Sequence, residues 1–161
     1  MGVGKSTTGR ALATQLDWPY ADSDEEIERL AGQSGRSLAA DVGVPRLHEL
    51  EAALLLGALA RPVPHVIAAA ASVVEKALVQ RMLPGAAFVV RLTAPVDVIV
   101  DRQADGGHRR PMAFDELAAI EARRGPLFAA VEDLVLDAER STEDLVAAIV
   151  GAMAARGLVA P

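Results

Sequence analysis

Apolar positions along this chain alternate between helical spacing and short unbroken runs. From Lys5 to Leu16, the residues Ala11, Leu12 and Leu16 share one helical face. Asp17-Trp18-Pro19-Tyr20-Ala21 breaks that helix and leads into a short extended stretch. Asp22-Ser23-Asp24 follows, and Ser23 or Asp24 is suited to cap a helix running through Ile27 and Leu30 to Gly32, with Glu25 and Glu26 in its first turn. After the turn at Gly32-Gln33-Ser34-Gly35, the pattern predicts a short helix from Ser37 to Asp41. A longer helix past Gly43 and Pro45 carries Leu47, Leu50, Leu54 and Ala58 and stops at Arg61-Pro62-Val63-Pro64.

Val66 to Ala71 reads as a buried strand passing into small residues, Val74 to Leu83 as a helix, and Pro84-Gly85 as a turn. Ala87 to Leu92 is the clearest strand, an almost unbroken apolar run of the kind found in parallel sheets covered on both faces. A helix begins at Thr93, with Val96, Ile99 and Val100 on its apolar side. The polar, glycine-rich run from Asp105 to Pro111 reads as a mobile loop. Phe114 to Arg124 is helical, Leu134-Val135-Leu136 a last strand, and Thr142 to Arg156 a closing helix with Leu145, Ile149 and Met153 on one side. Strands alternating with helices predict an α/β fold, a three-layer α/β/α sandwich around a parallel sheet, in a single domain over residues 1–161.

Composition narrows the class. The chain has 161 residues, enough for one domain with a sizeable core. Its apolar runs fall far below the about 20 residues needed to span a bilayer, and no secretion signal opens it. A cytoplasmic protein without a membrane partner is therefore expected. The absence of cysteine excludes disulfides, thiolate metal sites and a cysteine nucleophile. A net charge of −6 argues against nucleic acid as partner. Arg109-Arg110 and Arg123-Arg124 make a poor stripe for a nucleic-acid backbone but a good clamp for one small anion.

The chemistry begins at the first residues, MGVGKSTTGR. Gly2, Val3, Gly4, Lys5, Ser6 and Thr7 end the phosphate-loop pattern G-x-x-x-x-G-K-[ST]. Gly2 and Gly4 let the backbone curl and turn its N–H groups toward a phosphate. Lys5 brings a charge to the β- and γ-phosphates of ATP, the Ser6 hydroxyl is a ligand for Mg2+, and a helix starting near Lys5 adds the positive end of its dipole. The first glycine of the pattern, and the strand that feeds such a loop, would precede Met1. The native start is accordingly expected upstream, and a restored strand ending in glycine is expected to raise stability and ATP affinity.

With the loop at Gly2–Thr7, three further features in order, Asp22-Ser23-Asp24, Arg110-Pro111 and Arg124-Gly125-Pro126-Leu127-Phe128, resemble shikimate kinase, a small P-loop kinase of the nucleoside-monophosphate-kinase type. The likeness covers nearly the whole chain and implies the P-loop NTPase fold with its first strand cut short. It further implies transfer of the γ-phosphate of ATP to a hydroxyl of a small polar acid, shikimate first; the chain is expected to be a monomer. By the same resemblance, Lys5 and the loop amides hold ATP phosphates, Ser6 and Asp22 hold Mg2+, and Asp22 lies near the transferred phosphate. Asp24 binds substrate hydroxyls, the loop is a mobile lid around residues 104–113 that Arg110 closes over the phosphates, Arg124 pairs with the substrate carboxylate, and Arg140, with Arg102, lies near the adenine. A plain helix cap at Asp22–Asp24 and solvated arginine pairs are the alternatives. Glu49 and Glu51 are expected to face solvent.

Two departures stand out. Where the family has three glycines after the middle strand, this chain has Ala69-Ala70-Ala71-Ser72, and each Cβ would obstruct a positive φ. His48 stands where the family has a substrate-binding arginine, and Arg46 lies about 200° round the helix from it. A kinase with another acceptor, such as gluconate or a nucleotide, and a non-catalytic ATP-binding regulatory domain therefore remain as alternatives. A signalling GTPase does not fit, for the chain has no Asn-Lys-x-Asp run.

Overall fold

Two parallel strand pairs form the middle layer. Strand β1 (Tyr20–Asp22) pairs with β2 (Val66–Ala68), Tyr20 opposite Val66 and Asp22 opposite Ala68. Strand β3 (Val90–Thr93) pairs with β4 (Leu134–Asp137), Val90 opposite Leu134 and Thr93 opposite Asp137. This arrangement comes from a computed structural model that describes residues 3–104 and 112–160, with backbone alone for 102–104. The expected lid at 104–113 lies mostly outside the described residues, as do Gly2, His108, Arg109 and Arg110.

Side-chain alternation along the strands decides the layers. Val66, Phe88, Val90 and Leu92 face helices α1 (Lys5–Leu16) and α8 (Thr142–Ala155), meeting Leu12, Leu145, Ile149 and Met153. Ile67 and Val89 face the other way, toward Leu55 of α4 (Val44–Leu59), Val79 of α5 (Ala77–Met82) and Leu127 and Phe128 of α7 (Phe114–Ala129). The result is the expected α/β/α sandwich. Helices α2 (Ser23–Ala31) and α3 (Gly35–Val42) close one corner through Ile27, Leu38 and Leu47. Helix α6 (Val96–Ala104) packs Ile99 against Val3, Leu117 and Ala138.

Among the described residues the two strand pairs are separate sheets. An apolar cavity of about 850 Å³ lies between them, walled by Val66, Ile67 and Ala68 of β2 and by Val90, Leu92 and Thr93 of β3. Leu12 and Leu55 reach it from the two helical layers, and Val3 lines it as well.

The element boundaries depart from the sequence pattern where packing outweighs it. Strand β2 ends at Ala68, and a 3-10 turn over Ala71–Glu75 begins what the pattern reads as one helix. Helix α7 runs through Gly125-Pro126 to Ala129. A proline inside a helix forfeits a backbone hydrogen bond, but Leu127 and Phe128 just beyond it pack on the core, and their burial keeps the last turn in place. Asp22, not Ser23 or Asp24, caps α2, because it retains the extended conformation of β1 at φ −128°, ψ 127°. Among the described residues, no helix is long and apolar enough to cross a membrane.

Candidate active site

Gly4 precedes α1 in the left-handed region, φ 79°, which favours a residue without Cβ. The first-turn N–H groups of a helix have no partner within it. In α2, α3 and α8 a side-chain oxygen of Asp22, Ser34 or Ser141 satisfies one of them. Helix α1 has no side-chain cap and no acidic residue in its first turn. Its N-terminus therefore presents N–H donors and the positive dipole end without a capping side chain from its own segment, and Lys5 and Ser6 belong to that turn.

Strand β1 delivers a carboxylate to the same place. Asp22 is buried, with 6% of its surface exposed. Its Oδ2 accepts from the Ser6 hydroxyl at 2.7 Å and from the Tyr20 phenol at 2.8 Å, and its Oδ1 accepts from the Asp24 N–H at 3.0 Å. Burial pushes the Asp22 carboxyl up, but the bonds from Ser6, Tyr20 and the Asp24 amide, with the Lys5 charge, prevail and hold it below its ordinary value. The group is a carboxylate at neutral pH. Tyr20 is pushed up to about 12, first by burial and then by its bond to Asp22. Sequence reasoning missed Tyr20, although the period of two along a strand places Tyr20 and Asp22 on one side. It also missed Gly9. A Cβ there would sit 2.9 Å from the Tyr20 ring, so α1 can lie against that ring only with glycine at this position.

The segments that the resemblance assigns to the acceptor fall on α4 and on the 3-10 turn after β2. Ala70 has φ −64° and ψ 137°, ordinary extended backbone, and the only non-glycine residue with positive φ among those described is Asp17. The expected conflict between alanine Cβ atoms and a left-handed turn therefore does not arise. Glu51 corrects the expectation that it faces solvent: it is 0% exposed, and its carboxylate accepts from the buried Ser72 hydroxyl. The signal was its spacing, four residues after Leu47 and four before Leu55, both buried. Glu49 is exposed as expected and pairs with Arg46 at 2.8 Å.

Arg124 is no solvated surface arginine. Its side chain is 11% exposed, and its Nε donates to Glu75 at 2.8 Å. Arg123, 61% exposed, binds the same carboxylate oxygen. Asp24 is half-buried at the start of α2. Val3 is in the core, and Thr7 is exposed on α1. Arg140 lies on the surface after β4, its guanidinium 3.5 Å from the Asp144 carbonyl. The structure thus brings Lys5, Ser6, Asp22 and Asp24 together, while none of Arg140's hydrogen bonds joins that group. Gly2 and Arg110 lie outside the described residues.

Among the described residues, no group of three or more His, Cys, Asp and Glu side chains could hold a metal ion. The Ser6 hydroxyl and the Asp22 carboxylate, already in contact, are hard oxygen donors that suit Mg2+ when phosphate and water complete its coordination.

Comparison with known proteins bears on this geometry. The family model described as "Shikimate kinase" matches residues 1–154. A shikimate kinase of Nitratidesulfovibrio vulgaris is 35% identical over 133 residues, covering 78% of this chain and 75% of the relative. One from Symbiobacterium thermophilum is 32% identical over 164 residues, covering 98% of this chain and 94% of that one. The solved structure described as shikimate kinase from Acinetobacter baumannii in complex with shikimate superposes with a TM-score of 0.85. It is 24% identical, with 99% of this chain and 91% of that chain covered, and speaks for the fold.

Proposed function

The chain belongs to the shikimate kinase family, ATP-dependent phosphotransferases with a hydroxyl acceptor, and we propose that it phosphorylates shikimate with ATP, as a monomer in the cytoplasm. The observation that carries this reading is the uncapped N-terminus of α1 behind Gly4, set beside the buried Asp22 carboxylate.

Phosphoryl transfer asks a protein for position and charge neutralisation rather than covalent chemistry. Lys5 and the amides of Val3 to Thr7 hold the ATP phosphates. Ser6 and Asp22 would hold Mg2+, which when bound would supply further charge neutralisation. Asp24 holds acceptor hydroxyls, and Arg124 offers its planar fork to the acceptor carboxylate. The acceptor oxygen bonds to the γ-phosphorus as the bridging oxygen leaves with ADP, and the hydroxyl proton passes late in the step to an oxygen of the transferred phosphoryl group. The attacking hydroxyl donates to Asp22, whose depressed pKa makes it a weak base. Asp22 therefore orients the nucleophile more than it deprotonates it, which suits a loose transition state. Arg110 and Arg140 are assigned on resemblance alone, to the lid and to the adenine side.

A coupled ADP-release assay with Mg·ATP, with and without shikimate, tests the reading. Shikimate-dependent release is expected, and Lys5→Ala should lower it by about 10²–10³-fold, the loss usual for one pre-organised group that meets transition-state charge. Release with gluconate but not shikimate, or ATP binding without release on either, overturns the shikimate assignment.

A further inference from the structure

We propose that Glu75 is a positioning residue for the acceptor site, holding the Arg124 guanidinium by its Nε so that the edge formed by the two terminal nitrogens meets the acceptor carboxylate. The inference rests on the role given above to Arg124. A guanidinium has two edges that can each grip a carboxylate. Glu75 takes Arg124 at Nε, at 2.8 Å, which in the proposed arrangement leaves the outer edge for substrate. Free in water, an arginine side chain has rotamer freedom to lose on binding. Arg124 has lost much of it already, for its side chain is only 11% exposed.

The placement of Glu75 gives the contact its meaning. It ends the 3-10 turn Ala71–Glu75, which follows β2, the strand paired with β1 and hence with Asp22. The start of the same turn is pinned by the buried Ser72–Glu51 bond to α4, the helix that carries His48. One rigid turn therefore ties α4, the end of β2 and Arg124 of α7 into a single frame. Charge points the same way. Two guanidiniums share one carboxylate, so the cluster of Glu75, Arg123 and Arg124 has a net charge of +1, the complement of one acceptor carboxylate. Burial raises the Glu75 pKa, but the bonds from Arg123 and Arg124 outweigh it and keep the group ionised.

The experiment uses the whole chain and reads shikimate binding by calorimetry beside steady-state kinetics. Glu75→Ala should raise the shikimate Kd and KM about tenfold or more, the size of one charge-assisted hydrogen bond, while the ATP KM stays within about twofold, the scatter of an uncoupled site. Glu75→Gln, which keeps an oxygen for Nε, should recover most of the loss. In an Arg124→Ala background, Glu75→Ala should cost nothing further. An unchanged shikimate Kd in Glu75→Ala, an equal shift in the ATP KM, no recovery by Gln, or losses that add in the double variant would each overturn the inference. The underlying reading fails separately, and takes this inference with it, if Arg124→Ala leaves shikimate binding intact or if the unaltered chain does not bind shikimate.

Discussion

Asp22 shows how one residue is given its chemistry by three neighbours. Its carboxylate is stabilised by Ser6 from α1, by Tyr20 from its own strand and by the Asp24 amide. Tyr20 reports on that contact, for it is the one tyrosine in the chain, and its absorbance titration has no competitor. Ionisation is expected near 12 rather than 10. A folded-state value above the unfolded one means that this contribution to stability is full below pH 10 and is lost as pH climbs through 12. Asp22→Asn should lower the Tyr20 value only part of the way toward 10, because burial, the larger cause, remains. A value unmoved in Asp22→Asn would show that the carboxylate has no hold on the phenol. Lys5, Ser6, Asp22 and Asp24 were legible as a group because the loop and the aspartates are motifs. Tyr20 and Gly9 belong to no motif: Tyr20 matters through its bond to Asp22, and Gly9 through the Tyr20 ring that lies against α1.

At the level of elements, periodicity located helices and strands, and burial adjusted them. Helix α1 begins and ends where the pattern places it. The buried face of α4 is Leu47, Glu51, Ala52, Leu55 and Ala58, whereas Leu50 and Leu54 pack to one side on the corner formed by Ile27 and Leu38. A glutamate within the first set breaks binary patterning. It is tolerated because Ser72 meets its carboxylate from the facing turn, and a carboxylate type alone cannot announce such a partner. Ser72→Ala removes that hydroxyl and should destabilise the fold by about 1–3 kcal/mol, the cost of leaving a buried polar group with one bond fewer. A thermal melt measures the change, and an unaltered Tm would mean that the bond contributes nothing. Helix α7 makes the complementary point, since Pro126 signals a stop that the burial of Leu127 and Phe128 overrides.

For the molecule as a whole, an apolar cavity separates the facing edges of β2 and β3. Each wall is a strand edge, and unpaired edges take up strands. Val3 lines the cavity and opens directly into Gly4 and α1. Adding an apolar strand of five or six residues ending in glycine before the loop should therefore raise the Tm. It should also tighten ATP binding and slow amide exchange at Ile67 and Leu92. A same-length extension with lysine and proline in the strand should do none of these. Equal melting and affinity with either extension would show that the cavity does not accept a strand.

The sequence by itself determined the α/β class, the order of elements and the phosphate loop, because hydrophobic period and the G-K-[ST] spacing are local properties that survive without tertiary contacts. Tertiary structure alone decided the rest. Whether Arg124 faced solvent or a carboxylate and whether Glu51 was buried each depended on a partner far along the chain. Glu75 lies 49 positions from Arg124 and Ser72 lies 21 from Glu51. Such pairings are set by how whole layers close on one another, and no spacing within one segment records them.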